Sequence, residues 1–147
     1  MVICDLDGTL ASCKWRLPYV EAKDWRRFYA GIPLDRPNPE VLQFLLDREA
    51  VGGKIYYVSG RPEDHRVATL QWLRKHGAPH AALIMRCKGD FRKDHIVKEE
   101  ILDAHFKNKE IEMVIDDRLS VIEMWERRGL KVWKIVDPGL DPFPETT

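Results

Sequence analysis

Residues 2–10, Val2-Ile3-Cys4-Asp5-Leu6-Asp7-Gly8-Thr9-Leu10, set two carboxylates two residues apart where a short apolar run gives way to a glycine. An apolar run of this length reads as a buried strand, and Gly8 marks the turn that ends it. Side chains two apart share a direction only while a strand continues. A strand that stops here crowds both carboxyls at its C-terminal rim. An aspartate that attacks phosphorus needs a cation to neutralise the approaching phosphate, and a second carboxyl can protonate the leaving oxygen and then deprotonate water. Asp5 fits the first role and Asp7 the second.

Further strands read at Lys54–Val58, Ala82–Met85, Glu112–Ile115 and Leu130–Val136, the last half-buried by its alternation. Helical spacing runs between them: Pro39 to Leu46, Pro62 to His76 with Gly77 ending it, Lys93 to His105, and Leu119 to Arg128. Strand followed by repeated helix and strand specifies an α/β fold, a doubly wound, mainly parallel Rossmann-like sheet with helices on both faces. Ligands bind such sheets at the C-terminal strand ends, where the strand order reverses. Residues 11–38 break the rhythm. With Trp15, Trp25, Phe28, Tyr29, several basic residues and three prolines, they read as a flap-like excursion over the strand ends, helical from Glu21 to Ala30. Packing of these aromatics onto the body outweighs base stacking for any one ring. The tail from Asp137, with Pro138, Pro142 and Pro144, reads as extended or poorly ordered at its end.

The 147 residues suit one domain, spanning 1–147. No apolar stretch approaches membrane-spanning length, the apolar run at Val2 leaves no room for a signal peptide, and the three cysteines lack metal-ligand spacing. A cytoplasmic protein with no membrane partner is expected. The 24 basic and 24 acidic residues cancel, so a nucleic-acid substrate would be held locally rather than by net charge. Local cations are available in Arg16, Arg26 and Arg27, and around Gly89 in Arg86, Lys88, Arg92 and Lys93.

Ser59-Gly60-Arg61 follows the second strand and would bring a hydroxyl, an unobstructed backbone N–H and a guanidinium to the rim that holds Asp5. Asp116 and Asp117 end another strand as adjacent carboxylates, the hard oxygen ligands that magnesium prefers. Without a cation, the Asp5 carboxylate would meet a phosphate dianion with roughly 4 kcal/mol of repulsion per charge pair at about 4 Å and an effective dielectric of 20. Burial and acidic neighbours should raise the Asp7 pKa, while metal and a lysine keep Asp5 ionised. Lys98 and Lys93 compete on spacing alone for that lysine role.

These elements, in this order, resemble the haloacid dehalogenase (HAD) superfamily of aspartate-based phosphohydrolases. Within it, Arg92 to Ile101, Ile115-Asp116-Asp117-Arg118, Val121 to Trp125, and Arg16 placed eleven residues beyond Asp5 are similar to the 3′-phosphatase domains of bacteriophage polynucleotide kinase/phosphatase. The resemblance implies Asp5 as nucleophile, Asp7 as general acid and base, and Lys98 as the catalytic lysine. It implies that Thr9, Ser59, Gly60, Arg61, Arg16 and Asp94 bind or shape the site around the phosphoryl group. Mg2+ would be held by Asp5, Asp7 through its backbone carbonyl, Asp116 and Asp117, with Asp117 favoured over Asp116 as direct ligand. The chain has no GxxxxGK[ST] loop, so no kinase activity is expected, and a separate kinase or ligase would be the partner.

The expected reaction is in-line attack by Asp5, giving an aspartyl-phosphate that water then cleaves. Between Arg61 and Lys98 there is room only for a helix, a strand and a loop, and residues 11–38 are too few for an independent helical cap. An open site without a large cap favours a 3′-phosphorylated DNA or RNA end. The alternative is a nucleoside monophosphate phosphatase that folds the Trp15–Tyr29 excursion over the base. A non-enzymatic receiver-like phospho-acceptor is more remote, because a receiver lacks a carboxylate two residues after its phosphorylated aspartate.

Overall fold

The computed structural model describes residues 1–145 of the chain. In chain order the elements are β1 (Val2–Cys4), β2 (Ala11–Ser12), α1 (Leu17–Glu21), α2 (Trp25–Ala30), β3 (Arg36–Pro37), α3 (Pro39–Ala50), β4 (Ile55–Pro62), α4 (Arg66–Lys75), β5 (Ala82–Arg86), α5 (Asp94–His105), β6 (Met113–Asp116), α6 (Leu119–Arg127) and β7 (Val132–Lys134). Five strands form one parallel sheet in the order β5-β4-β1-β6-β7. Strand alternation sorts the core into two layers. Val2, Cys4, Ile55 and Tyr57 face Val41, Leu45, Trp72 and Leu73 of α3 and α4. Ile3, Val58 and Val114 face Val97, Ile101, Val121 and Trp125 of α5 and α6. The chain runs from β1 outward through β4 to β5 and then returns to β1's other side as β6, so the strand order reverses beside β1. This is the doubly wound α/β arrangement expected, with its switch point at Asp5.

The structure moves several boundaries. The second strand of the sheet, β4, does not stop at Val58 but continues to Pro62, with a register shift against β5 between Ser59 and Pro62. A bulge there re-aims Ser59 and Arg61 without ending the pairing. The excursion contains two short helices rather than one from Glu21: Pro18 opens α1 early, Lys23 takes a left-handed φ of 56°, and the Asp24 carboxylate caps α2 by accepting from Arg27 N at 3.1 Å. Its ends are closed by the antiparallel β2–β3 pair, and Asn38 N donates to Leu10 O. The tail is extended but fastened. Asp137 accepts from Ser12 Oγ and from the backbone N–H groups of Cys13 and Lys14, while Phe143 lies under the Arg36 guanidinium and against His76. The expectation of poor order concerns the extreme end, where residues 146 and 147 lie outside the described residues. Among those described, no helix is long and apolar enough to cross a membrane.

Candidate active site

β1 ends at Cys4, so Asp5 is the first residue beyond the strand and Asp7 does not share its direction. Asp5 turns toward α5, where Lys98 Nζ donates to its Oδ1 at 2.8 Å and to Asp116 Oδ2 at 3.1 Å. Lys98 is buried on the core face of α5 with Val97, Ile101 and Leu102, whereas Lys93 is exposed at the helix cap. The geometry therefore separates the two competing lysines. Burial opposes the Lys98 charge, but Asp116 and Asp5 outweigh it and hold its pKa above the ordinary lysine value. Asp5 is pushed well up by burial; Lys98 opposes the shift and Asp116 and Asp117 add to it.

One carboxylate oxygen from each of Asp5, Asp116 and Asp117 lies within 4.8 Å of the others. Three carboxylates with one ammonium leave an excess of negative charge, and a hard oxygen-lined cluster of this size fits a small divalent cation. The two adjacent acids are not equivalent. Asp116 accepts from Lys98, Trp125 Nε1 and the backbone N–H groups of Asp117 and Arg118, so both its oxygens are occupied. Asp117 accepts only from Thr9 Oγ1, at 3.0 Å, among the described side-chain bonds. It also packs so tightly on Gly8 that a Cβ there would overlap its carboxylate, and Gly8 has a φ of 82° that a side chain would strain.

Asp7 turns the other way and departs from expectation. Arg61 grips it with two bonds, Nε to Oδ2 at 3.0 Å and Nη2 to Oδ1 at 2.6 Å, and Arg16 Nη2 adds a third at 2.7 Å. Burial would raise the Asp7 pKa, but Arg61 and Arg16 overcome it and hold the carboxyl well below the usual range. The expected upward shift is thus reversed by two guanidiniums. Arg16 is fully buried, spends Nε and Nη2 on Asp35 at 3.0 and 2.6 Å, and lies over the Phe28 ring. Arg61 Nη1 donates to Thr69 Oγ1. Both arginines meet Asp7 rather than presenting a free fork to the rim. Thr9, expected near the phosphoryl group, instead bridges Asp5 and Asp117 with its hydroxyl.

Ser59 is buried and its Oγ accepts from Arg61 N, which leaves its own hydroxyl proton to point elsewhere. Gly60 lies against Asp94, where a Cβ would overlap the Asp94 carboxylate. Arg86 Nη2 donates to that carboxylate at 2.9 Å and Arg86 Nε to Gly60 O at 2.8 Å. Gly60→Ala should therefore cost about 1–3 kcal/mol, the range for overpacking, and Asp94→Ala added to it should recover part of the loss. Chemical denaturation of the four proteins in the cycle tests this, and strictly additive losses would show that the two residues do not compete for space. Sequence reasoning missed Asp35, Thr69 and the bracing role of Arg86. A buried Arg16 demands a carboxylate, but Glu21 and Asp24 are both nearer to it in the chain than Asp35.

The parallel sheet, with aspartates gathered at its switch point, is the arrangement of a HAD-like phosphatase. The family model described as "Polynucleotide kinase PNKP phosphatase domain" matches residues 1–139, and the chain belongs to that family. A chain of the Pnkp1/Rnl/Hen1 RNA repair complex superposes with a TM-score of 0.80 at 32% identity, over 91% of this chain and 41% of that one. A protein of Autographa californica nuclear polyhedrosis virus named "Putative bifunctional polynucleotide kinase/RNA ligase" is 28% identical over 131 residues, 85% of this chain and 17% of its own length. A Bacillus cereus protein named "Putative nucleotidase" is 32% identical over 74 residues, 50% of this chain and 39% of its own length. The chain thus spans well under half the length of the curated relatives it matches.

Proposed function

We propose that this phosphatase is a magnesium-dependent phosphomonoesterase that works through an aspartyl-phosphate on Asp5 and removes 3′-phosphate from DNA or RNA ends. The observation that carries the reading is the pairing on one rim of Asp5, buried beside Lys98 and Asp117, with Asp7, held by two arginines. Asp5, the Asp7 backbone carbonyl and Asp117 would hold the magnesium ion, with Asp116 orienting Lys98 from behind. Bound there, the metal offsets the charge of phosphate and carboxylate together.

Lys98 opposes the neutralising effect of burial on the Asp5 carboxylate and fixes its direction for in-line attack on phosphorus. As the Asp5 oxygen–phosphorus bond forms, the bond to the 3′ oxygen breaks, and because Arg61 and Arg16 hold Asp7 ionised, the proton that this oxygen takes comes from solvent water, relayed through the Asp7 carboxylate. Asp7 is then the ionised carboxylate that its two guanidiniums favour, ready to accept a proton from the water that attacks phosphorus and frees Asp5. Arg16 and Arg61 act by holding Asp7 in place, and Ser59 and the Gly60 N–H by receiving phosphoryl oxygens, beside the carboxylate of Asp94.

The polynucleotide end is favoured over a small ester because residues 11–38 form only short helices and a two-stranded pair. The relatives from an RNA repair complex and a viral kinase/ligase point the same way and suggest a separate kinase or ligase as partner. Nucleoside monophosphate hydrolysis is the second reading, favoured by the match to the Bacillus cereus protein. Phosphate release from a 3′-phosphorylated oligonucleotide, compared with 3′- and 5′-mononucleotides, decides between them. The oligonucleotide should be preferred by at least tenfold in kcat/KM, and EDTA should abolish release until magnesium is restored. A preference for mononucleotides would replace the end-processing reading, and full activity in EDTA would remove the metal from the scheme.

A further inference from the structure

A groove of about 370 Å³ lies beside the carboxylate rim, lined chiefly by Trp25, Arg26, Tyr29, His65, Lys88 and Phe91. Three of its rings form a row. Tyr29 stacks on His65 with centroids 4.1 Å apart and planes at 17°, and Trp25 continues the row at 6.4 Å and 27°. Trp25 is 51% exposed and Phe91 94% exposed, an arrangement that leaves aromatic faces in water at a net cost unless something covers them. Phe91 is also held in place. Arg86 binds the carbonyls of Asp90 and Arg92 on either side of it, while the same guanidinium binds Gly60 O and Asp94. The loop that presents Phe91 is thereby tied to the residues assigned to the phosphoryl group.

The groove is continuous with the catalytic rim. Pro62, in its wall, directly follows Arg61, and Tyr29 sits close enough to Asp7, Arg61, Arg86 and Asp94 for their charges to act on its hydroxyl. Its acids are largely answered within the protein: Asp64 lies 3.7 Å from Lys88, and Asp90 is bound by Arg92. That leaves Arg26, among the described residues, as the groove's uncommitted cation, and stacked rings beside an arginine hold single-stranded nucleic acid, whose bases offer π faces and whose backbone offers negative charge. A peptide partner would not explain the row of near-parallel planes ending at a phosphoryl site.

We propose that this groove binds the last nucleobases of a single-stranded polynucleotide whose 3′-phosphate enters the catalytic rim, with Trp25 and Phe91 as stacking platforms. The proposal rests on the polynucleotide reading of the substrate, and two separate measurements keep the two apart. In the first, a fluorescein-labelled, 3′-phosphorylated single-stranded oligonucleotide is titrated with the Asp5→Asn protein, alone and combined with Trp25→Ala, Phe91→Ala or the surface control Val51→Ser. Each aromatic change should weaken binding about tenfold, and the control should not. In the second, with Asp5 intact, the same aromatic changes should lower the ratio of kcat/KM for the oligonucleotide to that for p-nitrophenyl phosphate by a similar factor. Unchanged affinity in both aromatic variants overturns the groove assignment even if the oligonucleotide is hydrolysed. So does equal affinity of the parent for a mononucleotide and the oligonucleotide. Aromatic-dependent binding without any release of 3′-phosphate leaves the groove standing and overturns the substrate reading instead.

Discussion

Asp5→Asn should reduce phosphate release by about 10^4-fold or more, in line with removal of a nucleophile from a covalent mechanism. The fold should survive. Asn keeps an oxygen that can accept from Lys98 Nζ, and the change removes one of three crowded carboxylates, a group that burial already pushes toward neutrality. Thermal unfolding should therefore give a midpoint at or above the parent's. Phosphate release and melting measured on the same preparation make the test clean. Substantial turnover in a properly folded Asn variant would move the nucleophile elsewhere, whereas an unfolded variant would mean that the Asp5–Lys98 pair is chiefly structural.

Lys98→Met should be the most damaging single change to stability. Lys98 is 1% exposed and pairs with both Asp5 and Asp116, so its loss leaves two buried carboxylates without their shared cation. Breaking a buried pair by removing one partner costs about 3–5 kcal/mol, which for a chain of this size lowers the melting temperature by about 10 °C or more. Activity should fall by at least about 10^2-fold, the range for losing one preorganised electrostatic contact. Lys93→Met, an exposed position at the start of the same helix, should change stability by less than about 0.5 kcal/mol. Combining Asp5→Asn with Lys98→Met should cost less than the sum of the two, because the second loss strands one carboxylate fewer. Equal behaviour of the two lysine variants would falsify the assignment of Lys98.

The two arms of the site differ in how far they could be read in advance. Asp5, Asp116 and Asp117 stand at strand ends, and a parallel sheet brings neighbouring strand ends together whatever the side chains do; β1 and β6 pair in register, Cys4 opposite Ile115. The gathering of these three carboxylates followed from that rule. Lys98 followed from helical spacing only with the help of a resemblance, since which face of α5 is buried depends on how it packs against the sheet. The Asp7 arm was misjudged because its partners come from far along the chain. Arg61 is 54 residues away from Asp7 and Asp35 is 19 from Arg16. No local pattern announces that two arginines will converge on one carboxylate, and their convergence reverses the sign of its pKa shift.

Periodicity and turn residues in the chain were enough to specify an α/β sheet with its carboxylates at the switch point, because those features act over a few residues and parallel pairing does the rest. Charge states were beyond their reach. Whether Asp7 is raised or lowered, whether Asp116 or Asp117 keeps a free oxygen, and whether Trp25 and Phe91 are packed or bare depend on burial and on contacts across the fold. Electrostatic energies fall off with distance in space, not along the sequence, so only the assembled structure could decide them.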